Sequence, residues 1–135
     1  MRGLTIVTIF LIATISLMSF QKKQKFDLKA SIERGKEVYN AQCITCHMEK
    51  GEGIEGAFPP LAKSDYLMAD KNRSIKQILE GASGEMTVNG IVYNGEMPAI
   101  DLTDEQVSDV LNYVRNSWGN KGGAVTPNEV KAQRK

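Results

Sequence analysis

The sequence predicts a mainly helical domain interrupted by one short β-hairpin. Three observations carry that reading. Apolar residues recur at helical spacing near both ends of the segment 31–119. Thr103-Asp104-Glu105-Gln106 has the form of a helix capping box. Asn89-Gly90 stands between two short runs of β-forming residues, Met86-Thr87-Val88 and Ile91-Val92-Tyr93.

The chain of 135 residues divides into four parts. Residues 1–20 join Arg2 to an apolar run from Leu4 to Phe20 and read as a signal peptide or an N-terminal membrane anchor. The small-x-small pattern before a cut after Ser19 is poor, because Leu17 occupies the third position back, and this keeps the anchor open as an alternative. Residues 21–30 form a basic linker, 31–119 the domain, and 120–135 a basic polar tail without periodicity, expected to be flexible. The domain carries 8 Lys/Arg against 14 Asp/Glu while both flanks are basic. An acidic domain repels phosphate, so nucleic acid is excluded as a partner.

The first helix is expected to begin at Ala30 or Ser31, with Ser31 as its N-cap and Ile32, Gly35, Val38 and Tyr39 on one face. Gly35 costs about 1 kcal/mol against Ala in a helix interior, which points to close approach of another helix. The helix leads into Cys43-Ile44-Thr45-Cys46-His47, which holds both cysteines and the single histidine of the chain within five residues. Two thiols at this spacing reach the two vinyl groups of one porphyrin, and the adjacent imidazole becomes an axial ligand of the iron. One covalent haem c per chain follows, and a small core gains what it lacks by burying it. A thioredoxin-like pair would need a strand and helix pattern that is missing, and a zinc site would need four ligands. A lone disulfide would leave His47 unexplained.

After His47, three glycines in six residues, Gly51, Gly53 and Gly56, prevent a helix, and Phe58-Pro59-Pro60-Leu61 stiffens the loop. A carbonyl of Pro59 or Pro60 could hold the second nitrogen of His47. Residues 62–71 read as a short helical turn with Tyr66, Leu67 and Met68 partly in the core. Asn72 or Ser74 caps a helix carrying Ile75, Ile78 and Leu79, which stops at Gly81. The hairpin near 86–93 leads to Tyr93-Asn94-Gly95-Glu96-Met97-Pro98. In the last helix Thr103 is the N-cap; Val107, Val110, Leu111, Val114 and Trp118 form one apolar face, Tyr113 flanks it, and Gly119 ends it.

Cys43-x-x-Cys46-His47, Gly51-x-Gly53, Pro59-Pro60-Leu61 and Met97-Pro98 together resemble the class I (monohaem) cytochromes c. The hairpin before Met97 is similar to the cytochrome c domains that serve nitrite reductases, quinoprotein dehydrogenases and haem-copper oxidases. The resemblance implies an all-α cytochrome c fold, about 3–5 helices around one haem, whose first and last helices cross at a glycine and aromatic contact. It implies that the carbonyl near Pro60 accepts a bond from His47, that Leu61 packs on the porphyrin, and that export precedes haem attachment. With no second histidine, a methionine completes the iron. Met97, in a Gly-rich loop some fifty residues beyond His47 and followed by Pro98, fits the family pattern; Met86 is the reserve and Met68 the weaker candidate.

An iron closed by His47 and Met97 can only exchange electrons. The expected function is therefore one-electron transfer between periplasmic or membrane-bound respiratory partners, by a monomer whose acidic surplus suits a basic docking patch on the partner. The chain offers no general base, nucleophile or carboxylate pair for an independent enzyme. Two alternatives remain: an open-site haem sensor or weak peroxidase, if Met97 leaves the iron free, and a tethered cytochrome subunit of a larger oxidoreductase, if residues 1–20 are retained.

Overall fold

A computed structural model describes residues 25–134. The apolar run 1–20 and the beginning of the basic linker lie outside the described residues. Helix α1 spans Leu28–Gln42 and α2 spans Ile44–His47. After the glycine loop come α3 (Asp65–Ala69) and α4 (Lys71–Glu80). Strands β1 (Ala82–Val88) and β2 (Ile91–Met97) pair antiparallel, and α5 (Asp104–Val114) and α6 (Pro127–Lys131) follow. The domain is predominantly helical with one two-stranded hairpin, as expected. Its six helices among the described residues exceed the expected three to five, because short turns and the C-terminal segment are helical too.

The central contact is the crossing of α1 and α5. A Cβ on Gly35 would lie 1.9 Å from the Asp109 carbonyl oxygen and 2.9 Å from Tyr113 Cβ, so only glycine lets the two backbones approach this closely. Beside it the rings of Tyr39, Tyr113 and Trp118 pack with centroids 5.1–5.4 Å apart, in tilted and edge-on geometry. Val107, Val110, Leu111 and Val114 of α5 are buried with Tyr39, Ile75 and Leu67 in one core.

A polar network joins the same helices. Buried Asp109 accepts from Ser31 Oγ and, in a two-point grip, from Arg34 Nε at 2.7 Å and Nη2 at 2.8 Å. Asn112 Nδ2 donates to Ser31 Oγ and to the Val125 carbonyl, both at 2.8 Å, and the Val125 N–H donates to Asn112 Oδ1 at 2.7 Å. Every polar group of this interior cluster thereby gains a partner in place of water.

Several element limits differ from expectation. The first helix starts earlier because Asp27, not Ser31, is its N-cap, accepting from Ala30 N–H at 3.1 Å; Ser31 faces the buried network instead. Asp70 caps α4 through Arg73 N–H at 3.0 Å, ahead of Asn72. Helix α5 keeps its expected capping box but ends at Val114, and Trp118 takes a left-handed backbone (φ 53°) in the turn that follows. The hairpin extends to 82–97, so Met97 ends a strand rather than sitting in a loop.

The largest correction concerns the tail. Residues 120–134 are not a flexible appendage: Thr126 and Glu129 form a second capping box with Pro127 in the first turn, and Val125 and Val130 are fully buried. Lys71 reaches the Ala124 carbonyl at 3.2 Å and pairs with Glu129, and Arg134 pairs with Asp104. Two valines and a matched amide hold the segment, although its composition is polar.

Candidate haem crevice

The end of α1 and the short α2 place Cys43, half-buried, and Cys46, exposed, at the edge of a crevice that His47 also lines. Burial, with a smaller contribution from Cys46, pushes the Cys43 thiol up to about 11. Among the described residues no group of three or more His, Cys, Asp or Glu side chains comes together that could hold a metal ion.

His47 Nδ1 lies 3.0 Å from the Pro59 carbonyl oxygen. That contact makes Nδ1 the protonated donor and leaves Nε2 with a lone pair. Burial lowers the His47 pKa below the ordinary histidine value and the bond to Pro59 partly opposes it, which favours the neutral ring that metals bind. The acceptor is thus Pro59 rather than Pro60; Pro60 lines the crevice beside it. The glycine loop brings this carbonyl to the histidine. Gly53 N–H donates to the His47 carbonyl at 3.1 Å, and a Cβ on Gly53 (φ 65°) would lie 2.3 Å from the Phe58 oxygen.

Leu61 also lines the crevice. Its N–H and that of Ala62 both donate to the Gly51 carbonyl at 2.7 and 2.8 Å, while its own carbonyl accepts from Asn120 Nδ2 at 2.8 Å. Sequence reading missed Asn120, which bridges this loop to the Val114 carbonyl at 2.7 Å. It also missed Tyr39 as a support of the loop: the phenol donates to the carbonyl of Met48, next to His47, at 2.7 Å. The aromatic face of α1 predicted only packing for Tyr39.

The hairpin supplies another part of the lining. Paired register puts Ala82, Met86, Val88, Tyr93, Gly95 and Met97 on one face, and all six line the crevice. Met97 and Met86 are both brought to it; Met68 and Met48 are not among the lining residues. Leu102, Val110, Leu111 and Val114 close the interior. The crevice is walled almost wholly by apolar side chains, with a few polar groups converging on it, the form of a ligand or cofactor site.

These residues fit a covalently attached haem. Two thiols stand at the rim, one imidazole has its second nitrogen already engaged, thioethers come from another chain segment, and the walls are apolar. Bound there, haem c supplies an iron that exchanges one electron.

A family model described as Cytochrome c matches residues 32–118. Cytochrome c-552 of Thermus thermophilus is 41% identical over 90 residues, covering 63% of this chain and 68% of that protein. The cytochrome c subunit of alcohol dehydrogenase (quinone) from Gluconobacter oxydans is 31% identical over 103 residues, covering 74% of this chain and 22% of the subunit. The gluconate 2-dehydrogenase cytochrome c subunit of Pantoea cypripedii is 33% identical over 108 residues, covering 76% of this chain and 24% of the subunit. The chain therefore spans about two thirds of the first relative and less than a quarter of the two dehydrogenase subunits.

Proposed function

The chain belongs to the cytochrome c family and is an electron carrier with one haem c bound through its cysteines; we propose that His47 and Met97 are its axial ligands and that it passes single electrons between respiratory partners outside the cytoplasm. The observation that carries this reading is His47, held at Nδ1 by Pro59, in the same crevice that Met97 lines from the end of β2. Cys43 and Cys46 anchor the group, Pro59 orients the imidazole, and Pro60 and Leu61 cover its side of the pocket. The apolar walls exclude water, and with the sulfur ligand they favour the reduced state.

The partner is proposed to be a redox protein with a basic patch. Exposed Glu49, Glu52 and Glu55 on the glycine loop and Glu85 and Glu96 on the hairpin accompany one lysine, Lys50, in these two segments. Ile54 and Phe58, 43% and 36% exposed, add an apolar centre for close contact. Electron transfer to such a partner is expected to slow as salt rises.

Export through residues 1–20, as a cleaved signal or a retained anchor, agrees with covalent haem attachment. No helix of the described residues is long and apolar enough to cross a membrane. The likeness to cytochrome subunits of dehydrogenases favours a second reading, in which the domain is a tethered subunit of a larger complex.

The decisive experiment compares oxidised and reduced spectra and carbon monoxide binding of the haem-loaded protein with those of Met97→Ala and Met86→Ala. A low-spin parent that ignores carbon monoxide, beside a Met97→Ala variant that turns high-spin and binds it, upholds the carrier with Met97 as ligand. The same change in Met86→Ala alone moves the ligand to Met86. A parent that binds carbon monoxide readily brings the sensor or peroxidase reading forward.

A further inference from the structure

The tip of the hairpin is tied to a distant helix by a reciprocal pair of hydrogen bonds. Asn89, the first residue of the turn, accepts at Oδ1 from the Asp65 N–H at 3.0 Å and donates its own N–H to Asp65 Oδ1 at 2.8 Å. Asp65 opens α3, where its Oδ1 also accepts from Tyr66 N–H at 2.6 Å and Ser64 Oγ caps Leu67 N–H at 3.2 Å. The carboxylate is thus held in place on the helix side. Asn89 is held in a left-handed conformation (φ 51°) by the turn it makes with Gly90 (φ 81°).

A two-stranded hairpin is marginal by itself in water, so its position depends on its fastenings. The root is fixed where Gly81 (φ 83°) packs its α-carbon close under the Met97 carbonyl and where Ile100 N–H donates to the Ile78 carbonyl at 2.9 Å. Between root and tip the hairpin meets the domain through packing of Val88 and Tyr93, both buried beside the crevice. The tip is fixed by Asp65 and Asn89. Met86, paired with Tyr93, lies on the strands between these two ends, while Met97, paired with Ala82, stands at the root.

We propose that Asp65 and Asn89 form a latch that holds the hairpin, and with it the Met86, Val88 and Tyr93 wall, over the haem crevice. Both are positioning residues: they act on the iron only through the wall that shields the Met97 side of the crevice. The proposal rests on the reading of Met97 as a ligand. With the latch released, the hairpin swings about its root more often, water enters the crevice, and an outside ligand competes with the thioether.

The test uses the full haem-loaded protein, with Asp65→Ala, Asn89→Gly, the double variant and Asp65→Asn. Asn89→Gly keeps a residue suited to the left-handed turn and removes only the side-chain acceptor. Asp65→Asn keeps an oxygen for the Asn89 N–H and serves as the conservative control. Two quantities are read well below the unfolding transition: the rate of carbon monoxide uptake by the reduced protein, and hydrogen exchange of the amides in 82–97. Asp65→Ala and Asn89→Gly should each speed uptake by about threefold to tenfold, the range expected for losing one or two exposed hydrogen bonds. Hairpin amides should exchange faster while those of α1 and α5 do not change. The double variant should exceed either single one, since each single substitution leaves one of the two hydrogen bonds in place, and Asp65→Asn should stay near the parent. Parental uptake and parental hairpin exchange in both single variants overturn the latch. Should the parent take up carbon monoxide as fast as Met97→Ala, the ligand assignment falls. Exchange alone then decides whether Asp65 and Asn89 fasten the hairpin, and unchanged amides sink that as well.

Discussion

The crossing of α1 and α5 and the wall formed by the hairpin and glycine loop are built on different terms. At the crossing, protein touches protein: a glycine lets two backbones meet, three aromatic rings fill the flank, and Asp109 and Asn112 share their hydrogen bonds with Ser31, Arg34 and Val125. At the wall, Val88, Tyr93, Met86 and Met97 turn their side chains toward a space that the chain itself leaves open. One half of the domain is held by its own sequence and the other by what it encloses. Damage to the first should therefore appear as lost stability, and damage to the second as altered haem chemistry.

The harshest test of that contrast is Gly35→Ala. Its Cβ cannot coexist with the Asp109 carbonyl, so α1 and α5 must separate, and we expect a loss on the order of 4 kcal/mol or outright failure to fold. Denaturant titration of the haem-loaded protein measures it, and a loss below about 1 kcal/mol would show that the crossing yields easily. Asn112→Ala should come next, at about 2 kcal/mol, because it strands the buried N–H of Val125, while the Val125 carbonyl keeps Ser108 and the Ser31 hydroxyl keeps Asp109. A parental midpoint would mean that the C-terminal segment adds nothing to the fold.

Gly53→Ala sharpens the other side. The left-handed backbone and the crowding against Phe58 should cost about 1–2 kcal/mol, yet the clearer change should be in the absorption spectrum and potential, since the strain displaces the Pro59 carbonyl that orients His47. An unshifted potential with lost stability would place this loop with the scaffold instead. The smallest effect concerns Glu129, whose pKa is lowered first by the hydrogen bond from Lys71. A depressed carboxylate stabilises the fold above its ordinary value of 4.5 and loses that contribution as pH falls through its folded value. The two side chains are 32% and 39% exposed, enough for water to screen the pair, so Glu129→Gln should lower the melting temperature slightly near neutrality, and the gap to the parent should close in acid. A gap that widened in acid would reverse the sign.

Much of this was legible from sequence because it depends on neighbours along the chain. The five-residue cysteine and histidine motif, the Thr103 capping box, the Asn89-Gly90 turn and the demand that Gly35 makes for a close partner all announced themselves locally, and the family match over 32–118 agrees with them. What stayed hidden depends on distant pairs. Nothing near Ser31 indicates that it meets Asp109 and Asn112 rather than capping a helix, and nothing near Asn120 points to Leu61. The C-terminal segment was misread for another reason. Its polar composition outweighed a signal that was present, Thr126-Pro127 followed by Glu129, the same capping logic that identified α5. Choosing Pro59 over Pro60 as acceptor needed the loop geometry, since adjacent prolines offer the same group.

The partners that fix α1 lie 75 to 81 residues further along, at Asp109 and Asn112. A chain growing from its N-terminus therefore presents Cys43 and Cys46 long before α5 is available to close over α1. The wide sequence separation of the crossing makes this contact a late one, and the domain stays unfinished until α5 has been made.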